Sequence, residues 1–287
     1  AAQDVVEAEG EVLSCRSIPR PVAPQLGEGL ASDLRYTVVG SLGAVFLYYG
    51  MKAVQLTEMA KTLTSMTFDS SKPVTVEELL HGIIIQSGND ASIALAEAIA
   101  GSEETFAQLM TREAQRLGMK NSSFMNATGL PHAQHYSTAR DLVLLASAVI
   151  REFPDHYALY SKKEYKYNNI AQANRNRLLW IDPTVDGMKT GLTENAGYCL
   201  VASAKRNDRR LISVVLGTTG DSVRTTQSQK LLNFGFQFFD TVRLYQKGQS
   251  VSALPVWKGS ASTVNAGFTS DFFVTLPKGQ AEKLKAT

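Results

Sequence analysis

The sequence predicts an α+β fold, because helical and strand-like patterns occupy successive stretches of the chain instead of alternating. Apolar residues recur at three- and four-residue spacing between residues 76 and 153, which predicts a run of helices. Two apolar runs, 197–204 and 211–217, flank the charged turn 205–210 and predict a β-hairpin. Beyond residue 242, short apolar runs separated by Gly, Ser and Pro predict a small β-rich module.

The helical region contains a corner at residues 87–90, Ser-Gly-Asn-Asp. Gly can end the first helix there, and Asn or Asp can cap the second. Further helices are expected over 104–117 and over 139–153, where Pro154 stops the pattern. Helical spacing returns over 225–239 and supplies an apolar face that could cover the hairpin.

The first seventy residues are less regular. Residues 10–13 fit a strand, and the apolar segment 38–49 fits a buried helix or strand. That segment is too short to span a bilayer. Cys15 and Cys199 could pair in an oxidising compartment, but the apolar run around Cys199 indicates a core residue.

Composition and charge narrow the class of function. The 287 residues are 44% hydrophobic and 20% charged, which is typical of a globular protein with one large domain and a smaller one. The formal net charge of +2 is spread along the chain and does not indicate nucleic-acid binding. No leader precedes the first residue, so we expect either a cytoplasmic protein or a mature form without its signal. The scattered histidines lack metal-ligand spacing, and we expect no metal and no cofactor.

Two short motifs, roughly a hundred residues apart, point to acyl transfer at a serine: Ser87-Gly88-Asn89 and Lys189-Thr190-Gly191. Such chemistry needs a nucleophilic serine, a base, a hydroxyl that relays the proton, and a cationic strand edge for the substrate carboxylate. Lysine supplies the charge, threonine a hydroxyl for a carboxylate, and glycine room for a peptide. Taken alone, each motif also fits a helix corner or an exposed turn.

The phrases around these motifs strengthen the interpretation because they occur in a characteristic order: 86–91, 126–130, 136–141, 174–176, 185–191 and 196–198. In this respect the chain resembles the low-molecular-mass penicillin-binding proteins, the D-alanyl-D-alanine carboxypeptidases of the penicillin-binding-protein 5 type. The resemblance is close from about residue 75 to residue 239 and looser through 255–257.

The resemblance implies a fold of the β-lactamase/transpeptidase type, in which helices flank an antiparallel sheet of about five strands. A helical lobe is expected over about 70–155. Residues 1–242 would form the transpeptidase-like catalytic domain, and residues 243–287 would form the start of a truncated β-rich domain. In relatives that domain continues into an amphipathic membrane-anchoring helix, which we do not expect in this chain.

The resemblance also implies a function. The family consists of periplasmic serine carboxypeptidases that remove the terminal D-alanine from peptidoglycan pentapeptide stems through an acyl-serine intermediate. β-Lactams inhibit them covalently, and the full-length proteins associate with the inner membrane. The expected partners are therefore a stem peptide ending in D-Ala-D-Ala and β-lactams.

Individual roles follow from the matched positions. Ser87 would relay a proton between nucleophile and leaving group, and Asn89 would bind the substrate amide. Lys189 and Thr190 would engage the terminal carboxylate. Relatives often carry histidine or threonine where Leu192 stands, so one polar contact is missing here.

Two arginines also match family positions. Arg175 and Arg224 are expected to act as cations that bind the substrate carboxylate or support the site.

The nucleophile motif Ser-x-x-Lys does not occur in the chain. Its expected place lies between the strand at 10–13 and a partial match at 65–68. The best positional candidate there is Ser32, with Arg35 in the place of the base, and Ser41 is a weaker second. Arginine does not give up its proton in proteins, so Arg35 could attract a substrate but could not act as a base.

Three explanations of this departure stay open. The protein is a degenerate relative, or Ser32 works with another base such as Lys189 through Ser87, or the first seventy residues do not represent the gene faithfully. The main functional hypothesis is a D-Ala-D-Ala carboxypeptidase, and the alternative is a non-catalytic protein that binds stem peptides or β-lactams. A class A β-lactamase fits less well, because Ser-Gly-Asn replaces Ser-Asp-Asn and no deacylating glutamate motif is evident.

Overall fold

A computed structural model describes four stretches of the chain: Val5–Glu7, Val12–Leu13, Met66–Asp69 and 72–283. Side chains are described over 74–282. The strand predicted at 10–13 is present in part, as Val12–Leu13. The predicted apolar segment 38–49 lies outside the described residues.

The elements of the described part follow the predicted order, with helices in the centre and strands after them. The strands are β1 (Val5–Glu7), β2 (Val12–Leu13), β3 (Met66–Asp69), β4 (Lys72–Val74), β5 (Glu164–Tyr167), β6 (Ile170–Ala173), β7 (Val185–Thr193), β8 (Gly197–Arg206), β9 (Arg209–Thr218), β10 (Phe239–Tyr245), β11 (Ser250–Pro255), β12 (Thr263–Gly267) and β13 (Phe272–Pro277). The helices are α1 (Val76–His81), α2 (Asn89–Ala100), α3 (Glu103–Arg116), α4 (Ala139–Glu152), α5 (Pro154–Tyr157), α6 (Leu178–Ile181) and α7 (Asp221–Phe238). A π-helical turn covers Gly82–Gln86, and 3₁₀ turns cover Ala158–Ser161 and Ala281–Lys283.

Within the described residues, the main sheet has five strands in the order β2-β1-β9-β8-β7. The predicted hairpin is confirmed as β8 and β9, and β7 pairs antiparallel with β8 at the sheet edge. The expectation of an antiparallel sheet needs one correction, because β1 runs parallel to β9. A tight turn forces antiparallel pairing, whereas β1 and β9 are far apart in sequence and can align in either direction.

Different helices cover the two faces of this sheet. On one face, Val201 and Val214 share a core with Val149 of α4. On the other face, Leu200 packs in a core with Leu232 of α7. Neighbouring residues of β8 point to opposite faces, so one strand contributes to both cores. The sheet is therefore held between the helical lobe and α7, as the sequence predicts.

Most helix predictions are confirmed with small shifts. Helix α3 begins one residue earlier than expected, after the N-cap Ser102, and α4 begins after Thr138, whose hydroxyl accepts from Asp141 N at 3.2 Å. Pro154 does more than end α4, because it also starts α5. Helix α7 starts four residues before the predicted position and continues through Gly235.

The corner at 87–90 differs from the prediction. Helix α1 passes into the π-helical turn, Ser87 closes that turn, and Gly88 caps α2 in place of Asn89 or Asp90. Residues 83–85 are three buried isoleucines. A continuous apolar run has no polar spacing that would distinguish a π turn from an α-helix, so the sequence could not reveal it.

A partly buried polar network fastens the lobe to β7. The Tyr157 hydroxyl of α5 donates to Asp186 Oδ1 of β7 at 2.9 Å. Arg210 of β9 donates to the same oxygen at 2.7 Å and contacts Asp186 Oδ2 at 2.6 Å. Next to Asp186, a Cβ on Gly187 would lie 2.5 Å from the Tyr157 hydroxyl, so the lobe approaches the strand at a glycine.

The strands after α7 form two small sheets in the described part of the chain. β10 pairs with β13, and β11 pairs with β12, both antiparallel. The strand β10 begins at Phe239, so the sequence-predicted domain boundary near residue 243 falls inside it. Among the described helices, none combines the length and apolar character needed to cross a bilayer.

The network yields a test in which one tyrosine serves as the control for another. Tyr157→Phe removes a buried donor to Asp186 and is expected to lower the free energy of unfolding by about 1 kcal/mol. Tyr160→Phe removes a buried hydroxyl that has no hydrogen-bond partner, and it should be neutral or stabilising. Urea unfolding of both variants measures the difference. Equal stabilities would show that the hydroxyl on Asp186 does not fasten the lobe.

Candidate active site

Ser87 occupies an unusual backbone position at the end of the lobe. Its φ and ψ of 58° and 43° are left-handed, a conformation that costs a non-glycine residue on the order of 1 kcal/mol. The preceding π-helical turn carries the buried isoleucines 83–85, which anchor it in the lobe core. Backbone bonds from Ser87 N to Ile83 O and from Gly88 N to Gly82 O, at 3.1 and 3.2 Å, close the turn. The packed turn therefore holds Ser87 in a strained geometry at the lobe surface.

Lys189 of β7 contacts Ser87 from the side of the sheet. Its side chain is buried, and Nζ donates to Ser87 Oγ in a short hydrogen bond and to Thr190 O at 2.8 Å. The strand register places Lys189 opposite Val201 and Thr190 opposite Leu200. Ser87 and Lys189, which are far apart in sequence, thus meet between lobe and sheet.

The Lys189 amine is unusually acidic. Burial, together with the positive charges of Arg175 and Arg224, lowers its pKa from 10.5 to about 7, and burial is the largest of these causes. At neutral pH this amine is therefore divided between its neutral and charged forms. A group in that state can both take up and release a proton through the Ser87 hydroxyl.

Arg224 of α7 is buried and supports the end of β7. Its Nη1 donates to Gly191 O at 3.0 Å and to Cys199 O at 3.2 Å, and its Nη2 donates to Asp221 Oδ1 at 2.5 Å. These bonds join β7, β8 and α7. Of the two roles expected for Arg224, the contacts favour the supporting cation over direct binding of a substrate carboxylate.

Arg175 is exposed between two buried asparagines. Asn174 donates from Nδ2 to Lys162 O at 2.9 Å, and Asn176 accepts from Leu178 N at 3.2 Å. In the part of the chain that the structure describes, the Arg175 guanidinium has no hydrogen bond or ion pair. Its charge is close enough to act on Lys189 and is free to meet a carboxylate.

Of the other predicted site residues, some lie in the described part of the chain and some lie outside it. Asn89 is exposed at the start of α2, Thr190 is buried beside Lys189, and Leu192 presents a half-exposed apolar side chain farther along β7. Ser32 and Arg35 lie outside the described residues, so their roles stay predictions. Within the described residues, no group of three or more His, Cys, Asp or Glu is placed to hold a metal.

Some supporting residues were not recognised in the sequence. Asp221 holds Arg224 at 2.5 Å and also contacts Arg177 Nε at 2.7 Å. Asp186 binds Tyr157 and Arg210. Asp186 stands three residues before Lys189, but its partners lie on other elements, and no local pattern could identify them.

The geometry defines a class: a helical lobe presents Ser-Gly-Asn to a sheet edge that carries Lys-Thr-Gly, as in penicillin-binding serine acyl-transfer proteins. A family profile described as D-alanyl-D-alanine carboxypeptidase matches residues 47–220. A second profile, described as the C-terminal domain of penicillin-binding protein 5, matches residues 239–287. The chain belongs to the D-alanyl-D-alanine carboxypeptidase family.

Individual relatives agree with this assignment. The chain is 49% identical over 215 residues to the D-alanyl-D-alanine carboxypeptidase DacC of Escherichia coli K12, which covers 75% of this chain and 54% of that protein. It is 43% identical over 226 residues to DacA of Haemophilus influenzae, covering 78% and 57%. The crystal structure of penicillin-binding protein 5 from Haemophilus influenzae superposes with a TM-score of 0.81 at 36% identity, covering 89% of this chain and 80% of that one. The chain spans about half the length of the curated relatives it matches.

Because the Lys189 amine is buried, we expect the stability of the folded protein to depend on pH. Its folded pKa of about 7 lies below its ordinary value of 10.5, so between these values the unfolded state binds more protons and stability rises with pH. Lys189→Met removes the cost of burying the charge and should raise the free energy of unfolding by about 1–4 kcal/mol.

This gain should be largest below pH 7 and fade as the pH approaches 10.5. Urea unfolding at pH 6 and pH 10 checks both points. A variant that is less stable than the wild type at pH 6 would contradict the assigned burial cost.

Proposed function

We propose that this chain carries the catalytic part of a serine-type D-Ala-D-Ala carboxypeptidase that acts on peptidoglycan stem peptides. The observation that carries the proposal is the buried Lys189 amine, with a pKa of about 7, bonded to the Ser87 hydroxyl between lobe and sheet. Relatives between 39% and 49% identical bear the name D-alanyl-D-alanine carboxypeptidase, which supports the same reaction here.

The substrate would bind along the edge of β7. That strand ends the sheet, so an extended peptide can add to it as a further strand, and Gly191 leaves room for the peptide backbone. The terminal carboxylate would meet the Thr190 hydroxyl and the guanidinium of Arg175, which has no partner among the described residues. Asn89, exposed at the start of α2, would donate to the substrate amide.

In the proposed acylation step, the proton passes from the nucleophile to the leaving group through Ser87. The oxygen of the nucleophilic serine, for which Ser32 is our candidate, attacks the carbonyl carbon between the two D-alanines. The C–N bond breaks, an ester forms on the serine, and the serine proton ends on the amine of the departing D-alanine. Ser87 stands in hydrogen-bond contact with Lys189, which allows its hydroxyl to pass the proton on while Lys189 buffers the charge.

Deacylation needs a base as well. Water attacks the ester carbon and gives a proton to the base, the bond between that carbon and the serine oxygen breaks, and the serine oxygen takes the proton back. The shortened peptide leaves as a carboxylate, and the serine hydroxyl is regenerated. Arg35 cannot accept that proton. We assign the base function to the neutral form of Lys189 acting through Ser87, because its pKa of about 7 makes this form available at physiological pH.

β-Lactams are proposed as covalent inhibitors at the same serine. Penicillin-binding protein D2 from Listeria monocytogenes, 27% identical to this chain, has been solved in cefotaxime-bound and ampicillin-bound forms, with TM-scores of 0.61 and 0.60. The family assignment does not favour a non-catalytic binding protein or a class A β-lactamase. Since stem peptides lie in the cell wall, we place the protein outside the cytoplasm, in the periplasm, with the full-length form at the inner membrane.

The proposal is tested first by intact-protein mass spectrometry after incubation with benzylpenicillin, followed by peptide mapping. A penicilloyl adduct on Ser32 is expected, together with release of D-alanine from a peptide ending in D-Ala-D-Ala. An adduct on another residue would show that this residue, and not Ser32, is the nucleophile. No adduct and no D-alanine release would identify a protein that binds stem peptides without cleaving them.

The relay is tested with Ser87→Ala. Removing the hydroxyl is expected to lower kcat for D-alanine release by about 10²- to 10⁴-fold, because the proton path between Lys189 and the reacting atoms is cut. KM should change little. Ser161→Ala, which alters an exposed serine on the 3₁₀ turn, is the control and should keep wild-type kinetics. Full turnover in Ser87→Ala would rule out the relay.

The pH dependence of turnover tests the base. If the neutral form of Lys189 is required, the wild-type rate should rise through pH 7, near the pKa of this amine, and level off above it. A rate that is flat between pH 5.5 and pH 8.5, measured as D-alanine release, would exclude Lys189 as the base.

A further inference from the structure

Gln86 links the Ser87 turn to a separate part of the chain. It is the last residue of the π-helical turn, directly before Ser87. Its side-chain Nε2 donates a 2.8 Å hydrogen bond to the main-chain oxygen of Ala173, at the end of β6. This bond joins the lobe to residues 173–176, which we call the Arg175 segment.

We infer that Gln86 is a positioning residue, whose hydrogen bond to Ala173 O holds the Arg175 segment against the turn that ends at Ser87. The inference rests on the proposed function, since it concerns the same site. It assigns to Gln86 a task that does not require contact with the substrate.

The Arg175 segment is anchored on its far side and leaves one side for Gln86. Asn174 donates from its main-chain N to Lys163 O at 2.6 Å and from Nδ2 to Lys162 O at 2.9 Å. Its Oδ1 accepts from Asn176 N at 2.9 Å. The first two bonds tie the segment to residues 162–163, the third is internal to it, and the Gln86 bond ties it to the turn that ends at Ser87.

Two cations act on the Lys189 amine, Arg175 and Arg224, and the two are held in different ways. Arg224 is fixed by Asp221 and by carbonyl oxygens of β7 and β8, all independent of the lobe. Arg175 has no side-chain partner in the described part of the chain, so its distance from Lys189 depends on where its backbone is held. Loss of the Gln86 bond should therefore weaken the effect of Arg175 and leave that of Arg224.

The chemistry of the amide explains why glutamine serves here. Ala173 O is an acceptor, so the partner must donate, and a glutamate of the same shape would place a second acceptor against it. The side chain is also neutral. A lysine or arginine at this position would add a further cation near the Lys189 amine and change its pKa directly.

The experiment compares Gln86→Met with Gln172→Met. Methionine keeps the length of glutamine but cannot donate to Ala173 O. Gln172 lies on the same hairpin, in β6, and its side chain makes no hydrogen bond among the described residues, so it is the matched control. The pKa of Lys189 is measured by NMR on protein labelled with ¹³C at lysine Cε, with the Lys189→Met spectrum as the assignment. The pH profile of D-alanine release is measured in parallel.

In Gln86→Met, the pKa of Lys189 and the rising limb of the pH–rate profile are expected to move upward together by about half to one pH unit. The rate at pH 7 should fall about two- to fivefold, and recover toward the wild-type value at pH 9. Gln172→Met should match the wild type in both measurements. If Gln86→Met does not fold, Gln86→Ala replaces it in the same comparison.

An unchanged Lys189 pKa in a folded Gln86 variant would overturn the inference, whatever the rate. A fall in rate that is equal at pH 7 and pH 9 would do the same, since it would show general loosening of the site. The NMR measurement does not need turnover. A wild type that releases no D-alanine would therefore count against the proposed function alone, and the role of Gln86 would still be decided by the pKa.

Discussion

The site depends on one contact, the hydrogen bond between the buried amine of Lys189 and the hydroxyl of Ser87. An ammonium group in this position is buried, and no described carboxylate pairs with it, so its charged form is disfavoured. The protein loses stability by burying the group and gains an amine that can exchange protons at neutral pH. The bond exists only while the lobe and the sheet keep their relative position, and the neighbouring hydrogen-bond networks hold them in that position.

Two of these networks lie at opposite ends of β7. Near its start, Asp186 receives donors from Tyr157 and Arg210 and ties the strand to the lobe. Near its end, Arg224 binds Gly191 O and Asp221 and ties the strand to α7. Between them, Lys189 has little freedom to move. Under the proposed function the substrate aligns with this strand, and a rigid strand edge then helps because positioning accounts for much of catalysis.

Much of this architecture could be predicted from local patterns. Helices α3 and α4 have the expected periodicity, and the strands β8 and β9 are apolar runs on either side of a charged turn. The π-helical turn could not be predicted, because the isoleucines at 83–85 conceal its spacing. The parallel pairing of β1 with β9 could not be predicted either, since no short connection dictates its direction. Ser32 and Arg35 stay predictions, as the described residues do not include them.

The sequence by itself determined the chemical types that form the site and the order in which they occur. Ser87, Lys189 and Thr190 belong to motifs whose residue types indicate acyl transfer at a serine. Only the tertiary structure decided how these groups behave: that Lys189 is buried against Ser87, that Arg224 binds backbone oxygens, and that Gln86 reaches Ala173. The reason is physical. A pKa and a hydrogen bond depend on distance and solvent exposure between residues far apart in the chain, and local sequence patterns carry neither quantity.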